Sequence, residues 1–311
     1  MTDLVPLNGH AEQPLAMPLA AGAVRIRGAN TPENLDGFHT TRNRREASSP
    51  TVSLVIPVRN EARNIAWVLE QVADEVHEII LVDGNSTDAT VITARSYRPD
   101  VKVVRQEGAG KGSALREGFL AASGDVIVMM DADGSMAPQE IRHYLHFLAN
   151  GYDFVKGSRF IVGGGSLDIT TFRRMGNWFL LTVFNTLHGT ELTDLCYGFC
   201  AFHRCYLDHL SLSATGFEIE AEMVVSAMRS GLRIAEVPSM EMPRRSGKSN
   251  LHAIRDGVRV LRTLLDAAGH RAQPGGHGPT GSAGVRQHRD RRELVDSSIR
   301  ATSGDTGDAP N

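Results

Sequence analysis

Short apolar runs alternate with helix-like segments through the first half of the central region. The apolar runs lie at 52–56, 79–82, 101–104 and 126–130, and the segments after the first three space their apolar residues as a helix does. Runs that are this short and continuously apolar are typical of strands buried on both faces. The pattern predicts an α/β fold with a mostly parallel sheet and helices on both faces.

The two ends of the chain lack this pattern. Residues 1–50 carry scattered Pro, Gly and Asn, and the chain beyond 269 turns to Gly, Pro, Ser, Asp and Arg with few large apolar residues. Segments of this composition bury too little apolar surface to fold alone. We therefore predict a flexible leader at 1–50, a single domain at 51–265 and a disordered tail at 270–311.

Composition then limits the classes of function. The 311 residues include 33 Lys and Arg against 36 Asp and Glu, a formal net charge of −3, so no global basic field indicates a nucleic-acid partner. Cys196, Cys200 and Cys205 are not spaced as a disulfide framework or a paired metal site, and we expect them to be reduced and buried. Without an apolar run of about 18 residues or a secretory signal pattern, the sequence predicts a cytoplasmic protein.

Three common phosphate and metal motifs are missing. Gly247-Lys248-Ser249 has Met242 where a P-loop needs glycine, and no G-x-G-x-x-G follows the first strand. Residues 131–135 resemble the start of a calcium loop, but their glycine is in the fourth rather than the sixth position. ATPase, dinucleotide-dependent dehydrogenase and EF-hand functions therefore lose support.

Acidic residues follow the predicted strands. Asp131 and Asp133 are two apart, so in an extended segment both carboxylates project to one side and could hold a divalent ion with a diphosphate. The alternative is that they begin a turn or cap the next helix. Asp83 ends the second strand and 57–61 follows the first, so polar groups meet at the rim where such sheets bind ligands.

Short motifs occur in a fixed order along the chain. They are Pro57-x-x-Asn60-Glu61, Asp83 with Ser86-Thr87-Asp88, Gly110-Lys111-Gly112, Asp125, Asp131-x-Asp133 and Gly157-Ser158-Arg159-Phe160. Further motifs follow at Asp194, Gly198-Phe199, Phe217-Glu218-x-Glu220, Glu236-Val237-Pro238 and Arg244-x-x-Gly247-x-Ser249. The ordered set resembles the family-2 glycosyltransferases with the GT-A fold, and its second half is similar to the dolichyl- and polyprenyl-phosphate sugar transferases. The resemblance covers about residues 51–265 and implies a Rossmann-like GT-A sheet.

The resemblance also implies a role for each matching residue. A nucleotide-sugar would be surrounded by Pro57, Arg59, Asn60, Glu61, Asp83 and Ala132. Asp131 and Asp133 would hold Mg²⁺ or Mn²⁺ against the diphosphate. Arg159 and Arg244 match positions that contact the phosphates or the acceptor, which suits a forked guanidinium, and Lys111 would contact the donor. The alternatives are surface ion pairs for the arginines and an exposed loop position for Lys111.

Two positions depart from the family pattern. Many relatives have a second acid where this chain has Gly84, so the contacts to the base and the identity of the nucleotide stay open. The polyprenyl-phosphate enzymes often have Lys where this chain has Asn250, so one cation is missing from the expected acceptor-phosphate pocket.

The acceptor half offers two candidate catalytic acids, Glu218 and Asp194. Residues 217–228 predict a helix in which Glu218 and Glu222 share a polar face at i, i+4 while Glu220 points elsewhere. Glu218 is a candidate base, or else an acid that satisfies a helix N-terminus. Residues 178–184 form either an interfacial amphipathic helix or part of the core.

Residues and resemblance together predict an inverting, metal-dependent glycosyltransferase. It would move a sugar from a UDP- or GDP-sugar to a polyprenyl or dolichyl phosphate at the cytoplasmic membrane face, with peripheral membrane contact and with Arg244 neutralising phosphate charge. A phosphate acceptor attacks unaided, whereas a hydroxyl needs a base. The alternatives are transfer to a saccharide hydroxyl in cell-wall or polysaccharide synthesis, a non-catalytic nucleotide-sugar-binding protein, and a nucleotidyltransferase.

Overall fold

A computed structural model describes residues 22–23, 50–249 and 251–269. Most of the predicted leader, all of the predicted tail at 270–311 and Asn250 therefore lie outside the described residues. Two residues of the predicted leader form strand β1, Gly22–Ala23, which pairs antiparallel with the strand Ile234–Pro238. To that extent the leader contributes to the sheet.

The described elements alternate as the apolar pattern predicts. After β1 the strands are β2 (Val52–Val58), β3 (Glu78–Asp83), β4 (Lys102–Arg105), β5 (Val126–Met129), β6 (Phe154–Ser158), β7 (Gly165–Ser166), β8 (Cys200–His203), β9 (Ile234–Pro238) and β10 (Met240–Glu241). The helices are α1 (Ile65–Glu70), α2 (Thr90–Tyr97), α3 (Lys111–Ala121), α4 (Ile141–Ala149), α5 (Thr171–His188), α6 (Ile219–Arg229) and α7 (Ala253–Gly269). Short 3₁₀ turns precede α4 at Pro138–Glu140 and follow β8 at Arg204–His209.

Within the described residues, eight strands form one sheet in the order β1-β9-β6-β8-β5-β2-β3-β4. Strands β5, β2, β3 and β4 are parallel, as are β6 and β9, whereas β8 runs antiparallel to both of its neighbours. A separate parallel pair joins β7 and β10. The predicted fold class, a mostly parallel α/β sheet, is confirmed.

Successive residues of the central strands pack into opposite hydrophobic cores. Leu54 and Ile79 belong to the core beneath α1, α2 and α4, whereas Val55 and Ile80 belong to the core beneath α3, α5, α6 and α7. Strand side chains alternate between the two faces of a sheet, so a strand covered on both faces must be apolar throughout. This explains the continuous apolar runs and leaves the carboxyl ends of the strands for polar residues.

Three details differ from the sequence-based expectations. Helix α1 ends at Glu70, so Val72 packs from the following turn rather than from the helix. Helix α7 continues to Gly269, past the predicted domain end at 265. All three cysteines lie in the described part of the chain and are free, but Cys205 is exposed rather than buried. None of the described helices is long and apolar enough to cross a membrane.

Candidate active site

A cleft of about 940 Å³ lies at the carboxyl ends of β2, β3, β4 and β5. Nine of the predicted site residues line it, namely Pro57, Arg59, Glu61, Lys111, Asp131, Ala132, Asp133, Arg159 and Arg244. Four others are outside the lining: Asn60, Asp83, Asp194 and Glu218. The topology brings the strand-end residues together because parallel strands all end at the same edge of the sheet.

Lys111 stands between two carboxylates in the cleft. It is the first residue of α3, and its Nζ lies 2.6 Å from Asp131 Oδ1 and 2.7 Å from Glu220 Oε1. Burial disfavours the ammonium, but the two carboxylates more than offset this and raise the pKa of Lys111. Lys111 is therefore a held cation of the cleft and not the exposed loop residue of the alternative interpretation.

Arg244 contacts Glu61 and Asp133, much as Lys111 contacts Glu220 and Asp131. Its guanidinium lies 2.7 Å from Glu61 Oε1 and 3.2 Å from Asp133 Oδ2. The backbone N–H of the next residue, Arg245, donates to the carbonyl oxygen of Asp133 at 3.1 Å. We call these six side chains the rim cluster: Glu220, Lys111, Asp131, Asp133, Arg244 and Glu61.

The rim cluster contains four carboxylates and two cations. Burial, together with the nearby carboxylates of Asp133 and Glu220, raises the pKa of Asp131 to about 6 even though Lys111 opposes the shift. Gly198 makes this crowding possible, because a β-carbon there would lie 2.7 Å from Lys111 Nζ and 2.9 Å from Glu220 Oε1. Negative charge is thus in excess at the point where the sequence predicts a cation.

The donor set at Asp131 and Asp133 fits a partial site for a divalent cation. Among the described residues, no three His, Cys, Asp or Glu side chains are grouped so that they could hold a metal ion. Mg²⁺ commonly takes only one or two carboxylates from the protein and completes its shell with water and substrate phosphates. Burial first and the neighbouring carboxylates second raise the pKa of Asp131, and a bound divalent cation would stabilise its charged form.

The residues expected around the nucleotide divide into two groups. Asn60 and Asp83 fix the loops after β2 and β3: Asn60 Oδ1 accepts from Thr87 N at 2.8 Å, and Asp83 Oδ1 accepts from Ser86 N at 3.0 Å. Pro57 and Arg59 line the cleft itself. Asn60 and Asp83 thus support the wall of the cleft through loop contacts and do not line it.

Gly84 lines the same part of the cleft. A β-carbon at this position would lie 2.9 Å from Gln106 Oε1, while Gln106 Nε2 donates to the carbonyl oxygen of Gly110 at 2.8 Å. The Gln106 amide is buried and also lines the cleft. The amide fills the space that a side chain at position 84 would need. The second acid of many relatives therefore does not fit here unless Gln106 moves.

Arg159 belongs to a different, buried arrangement. Its Nε and Nη2 donate to the two oxygens of Asp194 at 2.7 and 3.0 Å, Nη1 donates to Glu241, and Nη2 also donates to the carbonyl oxygen of Cys196. These contacts engage all three nitrogens of the guanidinium. We call Arg159, Asp194 and Glu241 the buried cluster. A phosphate at Arg159 would have to compete with these two carboxylates.

Asp194 is fully buried in that cluster. Its burial opposes ionisation, but the Arg159 guanidinium outweighs this and keeps the pKa of Asp194 below its ordinary value. Glu236 fixes the same loop by accepting from the N–H groups of Thr193 and Asp194 at 2.8 and 3.0 Å. This geometry is at odds with the prediction of Asp194 as a catalytic base and assigns it instead to holding Arg159.

The acids at the start of α6 divide between a loop and the cleft. Glu218 precedes the helix, and its Oε1 accepts from the N–H groups of Thr215 and Gly216 at 3.3 and 3.0 Å. It therefore supports the turn at Thr215 and Gly216 without lining the cleft itself, which is at odds with a role as base. Glu222 accepts from Ser213 and Ala214 of the same loop, so the expectation that Glu220 points away from Glu218 and Glu222 is confirmed: Glu220 faces the cleft and holds Lys111.

Sequence reasoning missed Glu220, Glu241 and Gln106 as residues of the site. Glu220 was detectable in principle, since it is the middle acid of the Glu218-x-Glu220-x-Glu222 pattern, but its direction depends on where the helix begins. Glu241 and Gln106 carry no comparable signal. Their importance comes from partners that are distant in the chain or lie on another strand end.

Comparisons with known proteins identify the family of the chain. A family model described as Glycosyl transferase family 2 matches residues 53–210. The glycosyltransferase AglJ of Haloferax volcanii is 35% identical over 221 residues, covering 70% of this chain and 72% of that protein. The undecaprenyl-phosphate mannosyltransferase of Micrococcus luteus is 32% identical over 212 residues, covering 64% of this chain and 87% of that protein. The chain spans 54% and 59% of the length of two other relatives.

Solved structures have the same fold. Glucosyl-3-phosphoglycerate synthase from Mycobacterium tuberculosis, in complex with Mn²⁺, uridine diphosphate and glucosyl-3-phosphoglycerate, superposes with a TM-score of 0.58 at 26% sequence identity. The match covers 72% of this chain and 82% of that one. The predicted family, GT-A fold and enzyme class are confirmed: this chain belongs to glycosyl transferase family 2 and is a glycosyltransferase.

Proposed function

We propose that the chain transfers a sugar, with inversion, from a nucleoside-diphosphate sugar to a polyprenyl phosphate at the cytoplasmic face of a membrane, with Mg²⁺ or Mn²⁺ as cofactor. The observation that carries the donor assignment is the rim cluster, whose acids outnumber its cations in the cleft at the strand ends. A diphosphate with a divalent ion suits this cluster, because its carboxylates can bind the metal ion and its cations can bind the phosphates.

The rim cluster would change partners when the donor binds. Asp131 and Asp133 would hold the cation, which neutralises charge on the departing diphosphate. Lys111 and Arg244, now bonded to those carboxylates and to Glu220 and Glu61, are the cations near enough to turn toward phosphate oxygens. Their work would be binding, orientation and stabilisation of the charge that develops on the leaving group.

The acceptor assignment rests on how the acids of the cleft are paired. Each acid among the described cleft-lining residues lies within 4.0 Å of a Lys or Arg nitrogen; these acids are Glu61, Asp131, Asp133, Asp168, Glu220, Glu241 and Asp256. Such pairing stabilises the charged carboxylate and weakens it as a base; the exception is Asp131, whose pKa is raised despite its pair and which belongs to the proposed metal site. A phosphate is already anionic and needs no base, whereas a saccharide hydroxyl does. The pairing therefore favours a phosphate acceptor.

The names of similar proteins support the same choice. Relatives that are 32% identical are named undecaprenyl-phosphate mannosyltransferase and polyprenol monophosphomannose synthase. A structural neighbour was crystallised with Mg²⁺ and uridine diphosphate, and another with Mn²⁺ and UDP-glucose. These proteins make a lipid-phosphate acceptor, a nucleotide-sugar donor and a divalent cation the first ligands to test.

The test is a transfer assay on the purified full chain. UDP- and GDP-sugars are offered with Mn²⁺ and a short-chain polyprenyl phosphate, and mass spectrometry identifies the products. We expect a polyprenyl-phosphate sugar and one nucleoside diphosphate per transfer, with the anomeric configuration of the donor inverted when measured by NMR.

Other products would contradict the proposal in distinct ways. Transfer only to a simple glycoside would support a hydroxyl acceptor. Consumption of a nucleoside triphosphate with release of pyrophosphate would support a nucleotidyltransferase. Nucleotide-sugar binding with no product from any acceptor would support a non-catalytic binding protein.

A further inference from the structure

Exposed apolar side chains are concentrated in one part of the molecule. Of the fourteen large apolar side chains that are exposed in the described residues, eight lie in the segments 162–179 and 240–242. Four are on α5, namely Phe172, Met175, Trp178 and Phe179, with exposed fractions between 51% and 68%. The other four are Val162 and Leu167 in the loop before α5, and Met240 and Met242 at β10.

Helix α5 has two distinct apolar faces. Leu180 and Phe184 are buried in the core, whereas Phe172, Met175 and Phe179 follow the i, i+3, i+7 spacing on the outward face. The eighteen residues of α5 include no Asp or Glu. The core interpretation of residues 178–184 is confirmed for the inward face, whereas the outward face is exposed and has the aromatic composition of helices that lie in a membrane interface.

The pairing of β7 with β10 joins the other exposed residues to this helix. Met240 stands opposite Gly165, and Leu167 N donates to the carbonyl oxygen of Glu241 at 2.9 Å. The loop from β7 then leads directly into α5. Helix, loop and β10 are thus linked in the fold, and we call the exposed apolar side chains of 162–179 and 240–242 the docking face.

The docking face borders the cleft. Phe172 and Arg173 of α5 also line the cleft, whereas Met175, Trp178 and Phe179 do not. From β10 the chain continues to Arg245, whose N–H donates to the carbonyl oxygen of Asp133. A ligand held against the docking face would therefore meet the cleft on the side from which Arg244 enters the rim cluster.

The charge around the docking face differs from that of the whole chain. Segments 159–188 and 239–249 contain six Lys and Arg residues against two acids, although the whole chain has a formal net charge of −3. Three of these cations are exposed: Arg174, Arg245 and Lys248. Apolar side chains bordered by exposed cations match a surface that offers acyl chains beneath anionic headgroups.

We propose that the docking face binds an anionic lipid surface, with Phe172, Met175, Trp178 and Phe179 inserted at the headgroup boundary and the cleft opening toward the headgroups. The proposal rests on the proposed function only for its consequence, that an acceptor phosphate reaches the rim cluster from the headgroup layer. Lipid binding itself is measurable without donor or acceptor.

The test is vesicle flotation with the full-length chain. The parent protein is compared with a Trp178→Ser/Phe179→Ser variant, and with an Ile92→Ser/Leu120→Ser control that alters exposed apolar residues of α2 and α3. We expect the parent and the control to float with vesicles of phosphatidylcholine and phosphatidylglycerol. The affinity of the Trp178/Phe179 variant for the same vesicles should be at least about tenfold lower. Circular dichroism and thermal unfolding establish that each variant is folded.

A second readout follows Trp178 directly. In a Trp67→Phe background Trp178 is the only tryptophan, and its emission should shift to shorter wavelength with anionic vesicles. Equal flotation of the Trp178/Phe179 variant, equal binding to pure phosphatidylcholine, or an unshifted emission would overturn the proposal. So would self-association of the parent that the same variant abolishes, because the occupant would then be a second copy of the chain.

A transfer assay separates this proposal from the proposed function. The Trp178/Phe179 variant should keep parental transfer to a short, water-dispersed polyprenyl phosphate and lose transfer to an acceptor embedded in vesicles. Vesicle binding by a parent that transfers to no polyprenyl phosphate would contradict the proposed function and support docking. Normal transfer by a parent that does not bind vesicles would support the proposed function and contradict docking.

Discussion

The fold contains two clusters of charged side chains, and they shift the pKa of a buried carboxyl in opposite directions. In the buried cluster, Arg159 uses all three guanidinium nitrogens and keeps the pKa of Asp194 low despite burial. In the rim cluster, burial and neighbouring acids raise the pKa of Asp131 to about 6 despite Lys111. Both clusters hold more carboxylates than cations, but the first stabilises the charged form of its central acid, Asp194, whereas the second does not do so for Asp131.

The difference separates structural from ligand-binding charges. Removing one member of a satisfied buried pair leaves an uncompensated charge and destabilises the fold. Removing one carboxylate from the rim cluster lessens repulsion between its acids but also breaks an ion pair, so stability changes little while a group that the bound donor needs is lost. Stability and turnover should therefore respond oppositely in the two clusters, and the substitutions below test that contrast.

The largest expected effect is on stability. Arg159→Met leaves Asp194 and Glu241 buried without their cation, and we expect the free energy of unfolding in denaturant to fall by about 3–5 kcal/mol. Arg98→Met is the control, because Arg98 pairs with the exposed Asp100 and its loss should cost about 1 kcal/mol or less. Similar unfolding free energies for the two variants would mean that the buried cluster is not structural.

The next effect is on turnover alone. Asp133→Asn removes one carboxylate from the proposed metal site, and we expect kcat/KM to fall about 100-fold or more with Mn²⁺ present. Its unfolding free energy should match that of the parent. Asp100→Asn, at an exposed ion pair, should change neither quantity. Turnover within a few-fold of the parent would contradict the assignment of Asp133.

A smaller contrast separates two acids of the same sequence motif. Glu220→Gln replaces the charged hydrogen-bond partner of Lys111 with a neutral amide, and we expect about a tenfold loss of kcat. Glu218→Gln keeps an oxygen that can accept from Thr215 and Gly216, so its rate should stay within a few-fold. A loss of about 100-fold in Glu218→Gln would instead indicate a catalytic base.

The smallest effect concerns the nucleotide. In Gly84→Asp the new side chain meets Gln106, so the Gln106 bond to Gly110 must break or shift. Losing about 1 kcal/mol corresponds to roughly fivefold weaker binding of the nucleoside diphosphate, which calorimetry measures. The double variant Gly84→Asp/Gln106→Ala should recover part of that loss. Undiminished affinity in the single variant would show that Gln106 moves freely.

The sequence predicted much of the fold and part of the site. Continuous apolar runs identified the parallel strands, and parallel strands bring their carboxyl ends to one edge, so Asp131, Asp133 and Glu61 were expected in the cleft where they lie. The spacing on α6 separated Glu220 from Glu218 and Glu222, but it could not show which direction faces the cleft, because that depends on how the helix packs in the fold.

The buried cluster was beyond the reach of sequence patterns. A Gly-Ser-Arg-Phe motif identifies Arg159 as a motif residue but says nothing of whether its donors are free. That depends on Asp194, 35 positions away, and Glu241, 82 positions away. Contacts between such distant residues arise from the packing of the folded chain, which no local spacing encodes.

The central claim is that the rim cluster binds a diphosphate through a divalent cation held by Asp131 and Asp133. Isothermal calorimetry of nucleoside diphosphate binding, with and without Mn²⁺, tests it most directly in the parent and in Asp133→Asn. We predict that Mn²⁺ raises the affinity of the parent at least about tenfold and leaves that of Asp133→Asn unchanged. Equal affinities with and without Mn²⁺ in the parent, or an undiminished Mn²⁺ effect in Asp133→Asn, would contradict it.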